Sequence, residues 1–106
     1  MKNKVTQEQI DSIIKNSEID VKTVFDKVTV VTCKLPSGFV LVESSGAVDK
    51  SNYDKDIGKQ ICMDNIEPKI WELEGYYLAK QMKRLDILKD KLMAESLQRS
   101  KNNEQR

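Results

Sequence analysis

Ser44-Ser45-Gly46, Asn52-Tyr53-Asp54 and Lys69-Ile70-Trp71 are the residues whose types and spacing suit chemistry in this chain, and that chemistry is binding. Serine hydroxyls and free amides at the end of a strand can meet an anion, and a helix beginning near Ser51 adds its positive end. Ser45 is the candidate hydroxyl, although the same residues also make an ordinary strand-to-helix turn. Asn52 offers an amide, and the Tyr53 ring can staple the helix start or stack on a base. Lys69 is the cation within a turn of Trp71. Further on, Lys80, Lys83 and Arg84 share one helical face at i, i+3 and i+4, which suits phosphates and suits a solvated surface equally. Trp71 reads as core, because Ile70 and Leu73 adjoin it. Tyr76 and Tyr77 cannot face the same way on a helix, so one of them is free for an interface or ligand.

Catalysis is disfavoured. The chain has no histidine, the usual proton shuttle at neutral pH. Asp49, Asp54, Asp56, Glu72 and Glu74 are the carboxylates near these residues. Glu72 and Glu74 stand two apart and point to different sides of a helix, and Asp54 reads as a helix cap. No phosphate loop, dinucleotide glycine pattern, zinc spacing or nucleophile elbow occurs. The expectation is therefore no catalytic residue, no metal and no cofactor. Cys33 and Cys62 form no CxxC pair and read as small buried hydrophobes in a reducing cytosol. Polar residues follow Met1-Lys2-Asn3-Lys4, where a signal peptide would need an apolar run. No stretch approaches the roughly 18 apolar residues of a membrane span. These features predict a soluble cytoplasmic protein. The net charge of +1 exerts no global pull on nucleic acid. From Lys80 onward, however, the balance is +4, against −3 for the first 79 residues.

The elements that must position these residues follow from pattern. Thr6 with Gln9 fits a capping box ahead of Ile10, Ile13 and Ile14, predicting a helix over residues 6–16. The β-branched run from Ile19 to Ser44 predicts three strands, with turns at Asp26-Lys27 and at Pro36-Ser37-Gly38. Gly46 marks the change from sheet to helix. Ser51 with Asp54 reads as a second capping box, with Ile57 and Ile61 on the buried face. Pro68 predicts a break or kink near Glu67 and a second helix over 68–97. On it, Ile70, Leu73, Tyr77 and Gln81 share a face, and Met82, Leu85, Ile87, Leu88 and Leu92 continue an apolar seam. The fold class is α+β: an N-terminal helix, a three-stranded antiparallel meander and a helical C-terminal half with a long final helix. One domain over 1–99 and a disordered tail over 100–106 are expected.

At 106 residues, folding hides roughly 65% of the unfolded chain's surface. A pocket of about 300 Å³ or more is hard to enclose in so small a body. A nucleotide-sized ligand therefore implies a wall supplied by a second copy, and the overhanging final helix also favours a homo-oligomer, a dimer or larger.

Gly38-Phe39, Glu43-Ser44-Ser45, Val48-Asp49, Asn52-Tyr53-Asp54, Gly58, Lys69-Ile70-Trp71 and Leu73-Glu74-Gly75-Tyr76 together resemble a family of small conserved proteins of tailed phages and prophages. Its pattern reads approximately G-F, S-A-C-V-D-P, N-F/Y-D, G and K-I-W-x-L-E-G-Y. The resemblance covers about residues 28–78. It departs at Gly46, Ala47 and Lys50, where the family commonly has Ala-Cys and Pro. Within or close to this family lie the phage anti-Thoeris proteins of the first type, oligomeric sponges that trap cyclic ADP-ribose isomers without degrading them. The resemblance implies that this chain sequesters a cyclic nucleotide signal in the cytoplasm of an infected bacterium. Tyr53 or Phe39 would stack on the adenine and Lys69 or Arg84 would meet the phosphates; Asn52 is the nearest motif match. The competing reading is an interaction module that binds a host or phage enzyme through the basic C-terminal helix. A DNA-associated accessory role is a third, against which the small net charge argues.

Overall fold

The computed structural model describes residues 3–104, with side chains described as far as Ser100. The element order is α1 (Gln7–Lys15), β1 (Glu18–Val24), β2 (Val28–Lys34), β3 (Val40–Gly46), a 3-10 turn (Lys50–Asn52) and α2 (Lys55–Glu104). The three strands form one antiparallel meander in the order β1-β2-β3, so the α+β expectation holds.

Local chemistry explains most of the boundaries. The Thr6 hydroxyl accepts from the Gln9 amide at 3.2 Å and starts α1. The Gln9 side chain does not reach back to the cap; its amide donates to Glu74 on α2 at 3.4 Å, and that of Gln7 donates to Glu67 at 2.8 Å. The first hairpin turns at Phe25-Asp26, one residue earlier than the sequence suggests. Both residues take left-handed φ values, 53° and 55°, and the Lys27 amide closes the turn on the Val24 carbonyl at 3.1 Å. The second hairpin closes at Gly38, whose φ of 95° is open to glycine.

Two expectations about α2 fail, for physical reasons. First, Pro68 does not break the helix, which runs continuously from Lys55 to Glu104. Pro68 and Asp64 are both exposed, so the carbonyl that loses its helical partner lies on the solvent side, where water can satisfy it. Second, the buried line is not Ile57 and Ile61, which are 61% and 43% exposed. It is Cys62, Ile66 and Ile70, spaced four apart and fully buried. The cap also moves. The Asp54 carboxylate accepts from the amides of Asp56 (2.9 Å) and Ile57 (3.2 Å), while Ser51 lies in the preceding turn, capped by Asp49.

One face of the sheet carries Val31, Cys33, Leu35 and Leu41, which join Ile10, Cys62, Ile66 and Ile70 as the core. Trp71 and Leu73 pack against it. Beyond about Gln81 the helix leaves this body, giving extents of 86 × 22 × 20 Å. It neither bends back nor ends at 97; it reaches into the segment expected to be disordered, of which residues 105 and 106 lie outside the described residues.

Gly58 sets the distance between α2 and the sheet. A Cβ placed there would lie 2.8 Å from the Thr29 Cβ, whereas one at Gly75 would meet nothing within 4 Å. Gly58→Ala should therefore destabilise the fold by about 2–3 kcal/mol. Gly75→Ala, at an exposed helical position, should stabilise it by about 0.5–1 kcal/mol. Chemical denaturation of the two variants checks both signs.

Candidate functional site

The six residues expected to bind a ligand fall into three places. Ser45, Asn52 and Tyr53 line a cleft where β3 runs out and α2 begins, together with Gly46, Ile57 and Ile61; its volume is about 100 Å³. Phe39 and Lys69 lie in a groove of about 560 Å³ at the opposite end of β3, with Leu41, Glu72, Leu73 and Tyr76. Arg84 stands with Lys80, Lys83 and Ile87 on the part of α2 that has left the domain. Phe39 and Ser45 are six residues apart along a strand, roughly 20 Å. Lys69 and Arg84 are fifteen apart along a helix, roughly 22 Å. One copy of the chain does not bring the six together.

Tyr53 is held firmly. Its hydroxyl lies 2.8 Å from the hydroxyls of both Thr23 and Thr29. Thr29 is fully buried on the core face of β2, so this contact satisfies a polar group that would otherwise be costly to bury. The ring is half-buried, leaving one side toward the cleft. Tyr53 thus staples the helix start to the sheet, with only the outer face of its ring open to the cleft.

The hydrogen bonds of the turn favour the ordinary strand-to-helix reading over the anion reading. The Ser51 amide donates to Asp49 at 3.0 Å, and the first amides of α2 donate to Asp54. The donors that would have met an anion are taken, and by carboxylates. The Ser51 contacts, first through its amide and then its hydroxyl, hold the Asp49 carboxyl below its ordinary range. The Ser45 hydroxyl and the Asn52 amide are the polar groups left lining the cleft.

At the other end, Lys69 makes an ion pair with Glu43. An incoming phosphate must compete with that carboxylate for the ammonium. Tyr76 and Tyr77 are both exposed, at 66% and 57%, so both are available rather than one. The Lys80 ammonium sits 5.6 Å over the Tyr76 ring, a cation–π contact; the Tyr77 hydroxyl accepts from Gln81 at 2.9 Å. The cysteines are free and buried. The Cys62 thiol is pushed up by burial and then by the nearby Glu43 carboxylate, with a Val31 backbone hydrogen bond opposing. Among the described residues no cluster of His, Cys, Asp or Glu is arranged for a metal ion, and no helix is long and apolar enough to cross a membrane.

Sequence reasoning missed the contacts of Thr23, Thr29 and Glu43. Each is a strand residue whose partner lies 24 to 30 positions away, and no local pattern signals it. It also missed a groove of about 660 Å³ between α1 and α2. Glu8 and Glu74 line that groove against Lys4, so its lining is net acidic and disfavours phosphates.

The chain was compared with known proteins. The sequence profile of the phage protein (N4 Gp49/phage Sf6 gene 66) family matches residues 5–82, from the start of the domain to the point where α2 leaves it. No curated protein and no solved structure matches. The chain belongs to that phage protein family.

The hydroxyl bridge gives a direct check on Tyr53. Tyr53→Phe keeps the ring but orphans the buried Thr29 hydroxyl, and should cost about 1–2 kcal/mol of stability in chemical denaturation.

Proposed function

We propose that this member of the phage protein family is an anti-defence protein that sequesters a cyclic ADP-ribose-type signal without degrading it. The observation that carries this reading is the division of the candidate residues into two incomplete half-sites at the ends of β3. One end supplies Asn52, Ser45 and the outer face of Tyr53. The other supplies Phe39, Tyr76 and Lys69. An aromatic ring for a base, a cation for a phosphate and an amide for a polar edge make a suitable set for a nucleotide. The cleft of about 100 Å³ falls short of the roughly 300 Å³ at which ligand pockets begin. The groove of about 560 Å³ is large enough but lacks Ser45, Asn52 and Tyr53, so a ligand that meets both sets is enclosed between copies in a homo-oligomer, in the cytoplasm of an infected host. A stoichiometric trap needs no general base or metal, which suits a chain without histidine.

A second reading has its own observation. Met82, Leu85, Leu88 and Leu92 form an exposed stripe along the overhanging helix, with a groove of about 430 Å³ beside it. Arg84, Lys89 and Lys91 flank this stripe, and Asp86 also lines the groove. The balance of +4 from Lys80 onward favours a host or phage enzyme whose docking surface has an acidic rim.

Calorimetry against cyclic ADP-ribose isomers separates the readings. A nanomolar trap, held in micromolar ligand, gains roughly 4 kcal/mol and raises its Tm by more than about 10 °C. The ligand should be recovered intact after heating, and Asn52→Ala should weaken binding at least tenfold. Absence of heat and of any Tm shift across the panel would reject sequestration. The interaction reading instead expects deletion of residues 83–106 to abolish capture of a partner while leaving the domain folded.

A further inference from the structure

The two edges of the sheet are chemically unlike. On β1, Glu18, Asp20 and Lys22 place charges along the outer face, the kind of guard that discourages strand addition. On β3 the residues of that face are Val40, Val42, Ser44 and Gly46, with no charge and no proline. The β2–β3 register runs without a bulge over seven pairs. Val40 and Val42 remain 46% and 55% exposed.

The direction of the free hydrogen-bonding groups follows from the ladder. The Leu35 amide donates to the Phe39 carbonyl, and the Ala47 amide to the Lys27 carbonyl, each at 2.8 Å. Antiparallel hydrogen-bonded pairs alternate, so the odd-numbered residues of β3 turn their backbone toward β2. Val40, Val42, Ser44 and Gly46 therefore turn theirs to the open edge.

We infer that β3 pairs antiparallel with β3 of a second copy about a two-fold axis at Val42, making one six-stranded sheet. Val42 then stands opposite the partner's Val42, Val40 opposite the partner's Ser44, and Leu41 opposite the partner's Glu43. The neighbouring register, centred on Glu43, would set two carboxylates face to face and is disfavoured. The Val42 register also suits the helices. Lys69 lies over Glu43 and Glu72 lies beside Leu41, so the Lys69 ammonium of each copy comes alongside the partner's Glu72. Phe39, Ile61 and Tyr76, exposed in the single chain, border this same edge.

The pairing has a consequence for the half-sites. It sets the Phe39 end of one β3 against the Ser45 end of the other. Helix α2 runs antiparallel to β3, with Ile57 near Gly46 and Tyr76 near Phe39. Arg84 lies roughly 12 Å beyond Tyr76 along the helix, which carries it over the partner's Asn52 end. Phe39, Tyr76 and Arg84 of one copy thereby join Ser45, Asn52 and Tyr53 of the other, twice per dimer. Only the use of these composite sites rests on the sequestration reading; the strand pairing stands without it.

Two variants test the pairing in the full chain without ligand. Val42→Pro removes an amide that the β2–β3 ladder does not use. Light scattering should find the wild type as an even multiple of the 12.2 kDa chain, and Val42→Pro at half that mass with unchanged circular dichroism. Val42→Cys should give a disulfide-linked dimer on oxidation, since hydrogen-bonded antiparallel partners lie about 5.5 Å apart between Cα atoms. Val40→Cys should not, because the partner's Ser44 faces it. A monomeric wild type, a folded Val42→Pro variant of unchanged mass, or failure of Val42→Cys to cross-link would each overturn the inference. If Val42→Pro does not fold, the cysteine pair decides. A dimer that ignores cyclic ADP-ribose isomers would retain the pairing and reject sequestration, whereas a monomer that binds them would do the reverse.

Discussion

The contact between Gly58 and Thr29 is the constraint on which the rest of the molecule depends. A glycine on the first turn of α2 lets the helix backbone lie against β2, with no room for a methyl group between them. That approach makes 58, 62, 66 and 70 the line of contact and turns Ile57 and Ile61 outward toward the β3 edge. It also buries the Thr29 hydroxyl, which is tolerable only because the Tyr53 hydroxyl reaches it. Tyr53 in turn fixes the Asn52 turn and the start of the helix. Packing, polar satisfaction and the geometry of the Asn52–Tyr53 cleft thus share a single origin.

The same constraint explains what was legible in the sequence. Thr6, Pro36 and Gly38 act on their immediate neighbours, and the elements they start or stop lie where local pattern puts them. Asp54 caps α2, as its residue type and place imply. The misreadings are tertiary. Ile57 and Ile61 carry the stronger apolar signal, but a glycine and a cysteine won the core positions, because the closeness of the sheet rewards small residues there. Pro68 is a helix breaker in isolation. Its place opposite the sheet lets solvent absorb the lost hydrogen bond. The six candidate residues are exposed or half-buried polar and aromatic groups. Their separation could not be seen, since the length of β3 and the antiparallel course of α2 set it.

The division of the chain at about Gln81 has a physical meaning. Up to that point helix α2 has a sheet and α1 to cover it, and the family profile ends there too. Beyond it the helix carries a basic charge balance and an exposed apolar stripe through Leu85, Leu88 and Leu92. A helix of this length in water owes its order to packing more than to propensity.

The central claim is that a chain of this size holds a nucleotide only by sharing the cavity between copies of itself. Native mass spectrometry of the protein with a cyclic ADP-ribose isomer tests it most directly. The account predicts ligand on dimers or larger even-numbered species, one per chain, and none on the monomer. A monomer that retains ligand as well as the assembly does would contradict it.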